Sequence, residues 1–138
     1  MAATRRFDKA VVPQETIELH ALESRVKTEA QLERMYGNNV DDLCTEHEKL
    51  IEQILEEEEQ LIHSHRGHID EVVSIVKDEM TLLNEVDKPG SDVEVYIKGL
   101  DRVLLKKMQI ISGLREKLLN FYSHLKTEES MSRLHERN

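Results

Sequence analysis

From Val40 to Val86 the apolar residues Leu43, Leu50, Ile54, Leu61, Ile69, Val72, Val76, Met80 and Leu83 recur at intervals of three, four or their sums. That is the period of one face of an α-helix. The stretch holds no Pro, and its only Gly is Gly67, so nothing breaks the pattern. The spacing predicts one helix of about 47 residues, roughly 70 Å long at 1.5 Å per residue. A helix of that length needs a partner along its apolar face, because propensity alone holds it only marginally.

The pattern stops at Asp87-Lys88-Pro89-Gly90-Ser91. Pro89 disfavours helical backbone at the residue before it, and Gly90 permits positive φ. Ser91, answered by Glu94, fits a capping box and predicts a new helix start. A second stripe then runs through Val93, Ile97, Leu100, Leu104, Ile111, Leu114, Leu118, Phe121 and Leu125, with one polar slot at Lys107. Its period is near 3.5, as in a coiled-coil seam. So short a connection favours antiparallel neighbours. The predicted seam joins Leu50, Ile54, Leu61, Ile69, Val72, Val76, Met80 and Leu83 to Ile97, Leu100, Leu104, Ile111, Leu114, Leu118, Phe121 and Leu125.

The flanks are simpler. Residues 1–13 lack a sustained period and carry Arg5, Arg6 and Lys9, which reads as a flexible basic tail. Residues 14–36, with Ile17, Leu22, Val26 and Leu32, predict a short helix that Gly37 closes. Asn39 or Asp41 caps the long helix after it. Residues 40–128 form the hairpin, with its turn at 87–91, and 129–138 are expected to fray. The predicted fold class is all-α: a long antiparallel helical hairpin with an additional N-terminal helix.

Composition agrees. The chain has 138 residues, five Gly, two Pro and 4% aromatics, too few turn and strand formers for a sandwich or barrel. Charge then sharpens the hairpin. Residues 40–86 hold 14 acids and 3 bases, whereas 87–138 hold 8 acids and 10 bases. An acidic arm would lie against a mildly basic one, with Glu71 near Lys106 and Lys107, and Glu79 near Lys98. The net charge of −9 argues against nucleic acid as the main partner. No apolar run reaches the roughly 18 residues of a membrane span, and the N-terminus has no apolar signal core. The single Cys44 excludes a disulfide within the chain and a thiolate zinc site. Cytoplasmic residence is the expectation.

Candidate chemistry is sparse. His63, His65 and His68 sit close in sequence, and His65 and His68 are one turn apart. No Glu-x-x-His or His-Glu-x-x-His accompanies them, so a third or fourth metal ligand is missing. A polar helix surface, with His65 half-buried in the seam, accounts for them. Glu56-Glu57-Glu58-Glu59 project in four directions and do not chelate one ion. Arg115, Lys117 and His124 on the returning helix are placed to offset them. Cys44 and His47 lack a pocket and an oxyanion donor set. No phosphate-binding Gly motif occurs. No cofactor and no enzymatic activity are expected.

Several ordered features resemble a known family. They are the acidic run Glu56 to Glu59, His65-Arg66, Val76-Lys77-Asp78-Glu79-Met80 with Leu82-Leu83, and Glu85-Val86-Asp87. The Pro89-Gly90-Ser91 turn and Tyr96 come next, then Leu104, Lys107, Leu114, Leu118, Phe121, His124 and Leu125. From Leu43 to about Arg133 the chain resembles the C-terminal coiled-coil segment of internal-motor, microtubule-depolymerising kinesins (kinesin family thirteen). Those kinesins carry an upstream ATPase motor. This chain has no phosphate-binding loop and starts with its own Met, so no motor residue carries over.

The resemblance implies a stand-alone relative of a kinesin tail: a structural or adaptor component of the microtubule cytoskeleton, in the cytoplasm and, more finely, in the axoneme of a cilium or flagellum. Its partners would be helical cytoskeletal proteins. An acidic chain is repelled by the acidic tails of tubulin. Microtubule contact is therefore expected through partners, or through Arg5, Arg6 and Lys9. Two alternatives stand beside this reading: a regulator that mimics or pairs with a kinesin tail, and an oligomeric helical protein with no cytoskeletal role.

Overall fold

A computed structural model describes residues 24–137. They contain three helices, α1 (Glu29–Tyr36), α2 (Val40–Val86) and α3 (Val93–Arg137), and no strand. The two long helices pack against each other as a hairpin, which is the predicted fold class. The predicted tail lies outside the described residues.

The local starts and stops arise from side-chain caps. Thr28 Oγ1 accepts from the Gln31 N–H at 3.2 Å, and the Gln31 side chain accepts from the Thr28 N–H at 2.9 Å. This capping box starts α1 at Glu29, so the expected helix over 14–36 is too long. Residues 24–28 are not helical, and 14–23 lie outside the described residues. Apolar spacing through Val26 suggested continuity, but the Thr28–Gln31 pair is the stronger signal. Gly37, at φ 52°, ends α1 and donates to the Glu33 carbonyl at 2.7 Å. Asn39, rather than Asp41, caps α2: its Oδ1 accepts from the Asp42 N–H at 3.2 Å.

The described chain divides into two compact units. The first comprises residues 24–57 and 119–137. Leu32, Leu43, Met131 and Leu134 form its buried core, with Tyr36 and Leu50 against it. Where α3 meets this core it presents small residues: Ser123, Thr127 and Ser130 are all buried. Thr127 Oγ1 accepts from the Lys27 N–H at 3.2 Å. Ser123 and Ser130 donate to carbonyls of their own helix at 2.8 and 3.3 Å, so no buried hydroxyl there lacks a bond. The Glu29 carboxylate pairs with Arg133 at 3.3 Å and Arg137 at 2.9 Å. The expected fraying of 129–138 is thereby corrected. The helix persists to Arg137 because Met131 and Leu134 are core residues.

The second unit is Glu58–Leu118. Here the inward strip of α2 runs through Leu61, Ser64, His68, Ile75, Glu79, Leu82 and Val86. That of α3 runs through Tyr96, Gly99, Leu100, Val103, Lys107, Ile110 and Leu114. Ile75 is 1% exposed. A Cβ on Gly99 would come within 2.5 Å of Leu82 Cδ2, so the Leu82 side chain packs directly over the Gly99 backbone.

This strip differs from the expected seam by one residue on both helices. Leu61, Leu100 and Leu114 face inward as expected, and so do Leu50, Ile54, Phe121 and Leu125 in the first unit. Ile69, Val72, Val76, Met80, Leu83, Ile97, Leu104, Ile111 and Leu118 are exposed instead. The bulkier residues dominate the periodicity, but the packed strip uses their neighbours, several of them polar or small.

Core truncation gives a direct check on the first unit. Leu32→Ala should lower unfolding free energy by about 2–5 kcal/mol, as expected for a fully buried Leu. Exposed Met35→Ala on the same helix should change it by well under about 1 kcal/mol. Urea denaturation followed by circular dichroism reads both.

Candidate functional site

The turn and the polar layers between α2 and α3 set the geometry that any partner meets. At the turn, the Asp87 N–H still donates to the Leu83 carbonyl at 3.1 Å. Gly90 takes φ 79°, a conformation that favours Gly. Ser91 does not cap α3. Its hydroxyl donates backward to the Val86 carbonyl at 2.7 Å, closing the end of α2. The cap of α3 is Asp92, whose Oδ1 accepts from the Glu94 N–H at 2.9 Å. The five predicted turn residues Asp87, Pro89, Gly90, Ser91 and Glu94 do come together. Asp92 was missed because Ser91 matched a capping box one residue early.

Polar layers cross the seam in each unit. In the second, Glu79 pairs with Lys107, and Lys117 Nζ donates to Ser64 Oγ at 2.8 Å. The expected partner of Glu79 was Lys98. The observed pairing arises because Glu79, rather than Met80, faces inward, opposite the polar slot at Lys107, while Lys98 is exposed. In the first unit, His124 Nδ1 lies 2.7 Å from Glu57, as its expected role opposite the acidic run requires. His47 Nε2 lies 3.1 Å from Glu128. The Ser132 hydroxyl donates to the same Glu128 oxygen at 2.7 Å. The His135 ring stacks on His47 with centroids 4.8 Å apart.

Two groups of the first unit are shifted from their ordinary values. The Ser132 hydroxyl, and then His47, hold the Glu128 carboxyl below its usual range against the opposing effect of burial. Burial pushes the Tyr36 phenol up, helped by the Glu46 and Asp42 carboxylates. The paired side chains are partly open to solvent, so each pair contributes little stability, of order 1 kcal/mol or less. Their effect is on register, since a slip of one turn would leave a charge facing an apolar neighbour.

Among the described residues, no group of three His, Cys, Asp or Glu side chains is placed to hold a metal ion. His65 is exposed rather than half-buried, and His68 is the one turned inward. Cys44 is exposed, and His47 faces Glu128. Among the described residues no helix is long and apolar enough to cross a membrane. Arg5, Arg6 and Lys9 lie outside the described residues.

The chain is similar to the kinesin-like protein KIN-13A of Oryza sativa subsp. japonica, at 43% identity over 83 residues, 60% of this chain and 10% of that protein. It is also similar to the kinesin-like protein KIN-13B of Arabidopsis thaliana, at 38% identity over 73 residues, 53% of this chain and 11% of that protein. The chain spans about a tenth of the length of these curated relatives. No family model matches, and no solved structure does.

Two measurements test this geometry. Asp92→Ala should cost about 1 kcal/mol, the usual value of a lost N-cap, whereas Ser91→Ala should leave the start of α3 capped. Hydrogen exchange at Val93–Val95 distinguishes them. Because the folded-state pKa of Glu128 is depressed, its contribution is present above the usual carboxylate range and is lost as pH falls through and below that range. Glu128→Gln should therefore flatten the acid limb of the stability–pH curve, measured by thermal melts between about pH 7 and about pH 3.

Proposed function

We propose that this chain is a non-catalytic structural or adaptor component of the microtubule cytoskeleton, acting by presenting its helical hairpin to helical partner proteins. The observation that carries the reading is the similarity to segments of two kinesin-like proteins across 53% to 60% of the chain. The geometry supports it: two long helices, polar pairs that fix register, and an exposed apolar strip. The axoneme of a cilium or flagellum, where helical proteins build periodic assemblies, is the finer location we propose.

A second reading is favoured by the same similarity. A chain that resembles part of a kinesin has the surface to pair with, or compete against, that part of a motor. Co-purification with a kinesin, and a change in its depolymerising rate, would select this reading over a static scaffold.

The net charge of −9 sets the expectation for direct contact. Acidic tubulin tails repel the chain at long range. Co-sedimentation of the full chain with purified microtubules at physiological salt should therefore depend on Arg5, Arg6 and Lys9. Changing all three to Ala should abolish pelleting without partner proteins. Undiminished pelleting of that variant would mean that the hairpin itself binds the lattice, against the partner-mediated reading. In cells, the tagged chain should localise to microtubule arrays; a diffuse distribution would count against the cytoskeletal role.

A further inference from the structure

We propose that a second copy of this chain covers the apolar face of the Glu58–Leu118 unit, the two hairpins forming a four-helix bundle in which α2 of each copy lies over α3 of the other. The inference goes beyond the cytoskeletal reading and does not depend on it.

The starting observation is what this unit hides and what it leaves open. Its inward strip includes Ser64, His68, Glu79, Gly99 and Lys107. Val76 is 47% exposed and Ile111 55% exposed. A helix pair with no other partner gains more by turning its bulkier stripe inward. Here both helices turn the mixed strip inward and keep the aliphatic one outside.

The two open stripes then fall on one side. At about 100° per residue, Ile69, Val72, Val76 and Leu83 lie roughly 60–120° around α2 from Ile75. Leu104 and Ile111 lie roughly 80–100° around α3 from Val103, in the same rotational sense. In an antiparallel pair, equal rotations of one sense carry both stripes to the same face. The opposite rotation brings Ser74, Asp78 and Glu85 on α2 and Arg102, Lys106 and Gln109 on α3 to the other face. The unit is therefore a two-helix layer with one apolar and one polar side. With twelve large apolar side chains about half open, the apolar side is of the order of the roughly 800 Å² per partner that specific dimers bury.

Charge selects the occupant and its orientation. Residues 58–86 carry seven acids and two bases, a net −5, and 93–118 carry three acids and six bases, a net +3. A second copy brings both signs. A two-fold axis parallel to the helices stacks each acidic α2 segment on a basic α3 segment. A two-fold axis across the helices would stack acidic on acidic, which is disfavoured.

Sedimentation equilibrium of the full chain at tens of micromolar should give about 32 kDa, twice the 16.1 kDa of one chain. Val76→Glu with Ile111→Glu should return it to one chain's mass with helicity unchanged by circular dichroism, since both positions are exposed. Ser74→Glu with Gln109→Glu, on the polar face, should leave the dimer intact. Orientation is read by crosslinking in a Cys44→Ser background. A mixture of Val76→Cys chains and Leu104→Cys chains should form disulfide-linked heterodimers on oxidation, with neither linking to itself. A monomeric parent chain, a dimer that survives the apolar-face changes, or self-linking of the Val76→Cys chains would each overturn the proposal.

Discussion

Two helices lying side by side hide only one strip of each, and each long helix here carries more apolar surface than one strip holds. That constraint governs the Glu58–Leu118 unit. Ile75, Leu82, Val103 and Ile110 turn inward, while Val76, Leu83, Leu104 and Ile111, one position along, remain open. The inward strip admits Glu79 opposite Lys107 and Ser64 opposite Lys117. These pairs are weak as sources of stability but selective as to register, because a rotated or slipped helix separates them. Gly99 lets the Leu82 side chain pack directly over its backbone at the turn end of the same strip.

The other unit meets the constraint differently. There α1 supplies a third surface, and Leu32 completes a core with Leu43, Met131 and Leu134. With three helices sharing the apolar area, α3 presents Ser123, Thr127 and Ser130 inward and still buries them with their hydroxyls bonded. Small residues allow close approach, and the core Leu and Met side chains fill what remains. The unit thus gains from a short helix what the hairpin alone lacks.

The helices and the turn were legible from the residues, since an unbroken apolar period ended by Pro89-Gly90 allows few other folds. The rotation of the helices was not. Periodicity finds the centre of an apolar stripe by weighting the largest side chains, and Val72, Val76 and Met80 outweigh His68, Ile75 and Glu79. The signal that resolves the ambiguity is the polar one: opposite charges at Glu79 and Lys107, and a Gly at 99 amid long side chains. Caps misled by single residues, with Thr28 and Asp92 setting the starts where Val26 and Ser91 suggested earlier ones. The end of α3 was misjudged because its anchor, Leu32 with Glu29, lies about 100 residues away in sequence.

The Lys27 N–H bonded to Thr127, and Glu29 bonded to Arg133 and Arg137, bring the start of the described chain against its end. Tension applied at those two ends would pull α1 and the last turns of α3 straight apart. Load of that kind meets the bonds one after another, as in a zipper, rather than all at once, as in shear. Lys27 and Arg137 pulled apart would therefore open these contacts in sequence. In an assembly under mechanical load, an attachment along the hairpin would leave these contacts unloaded, whereas one at Lys27 and Arg137 would pull on them directly.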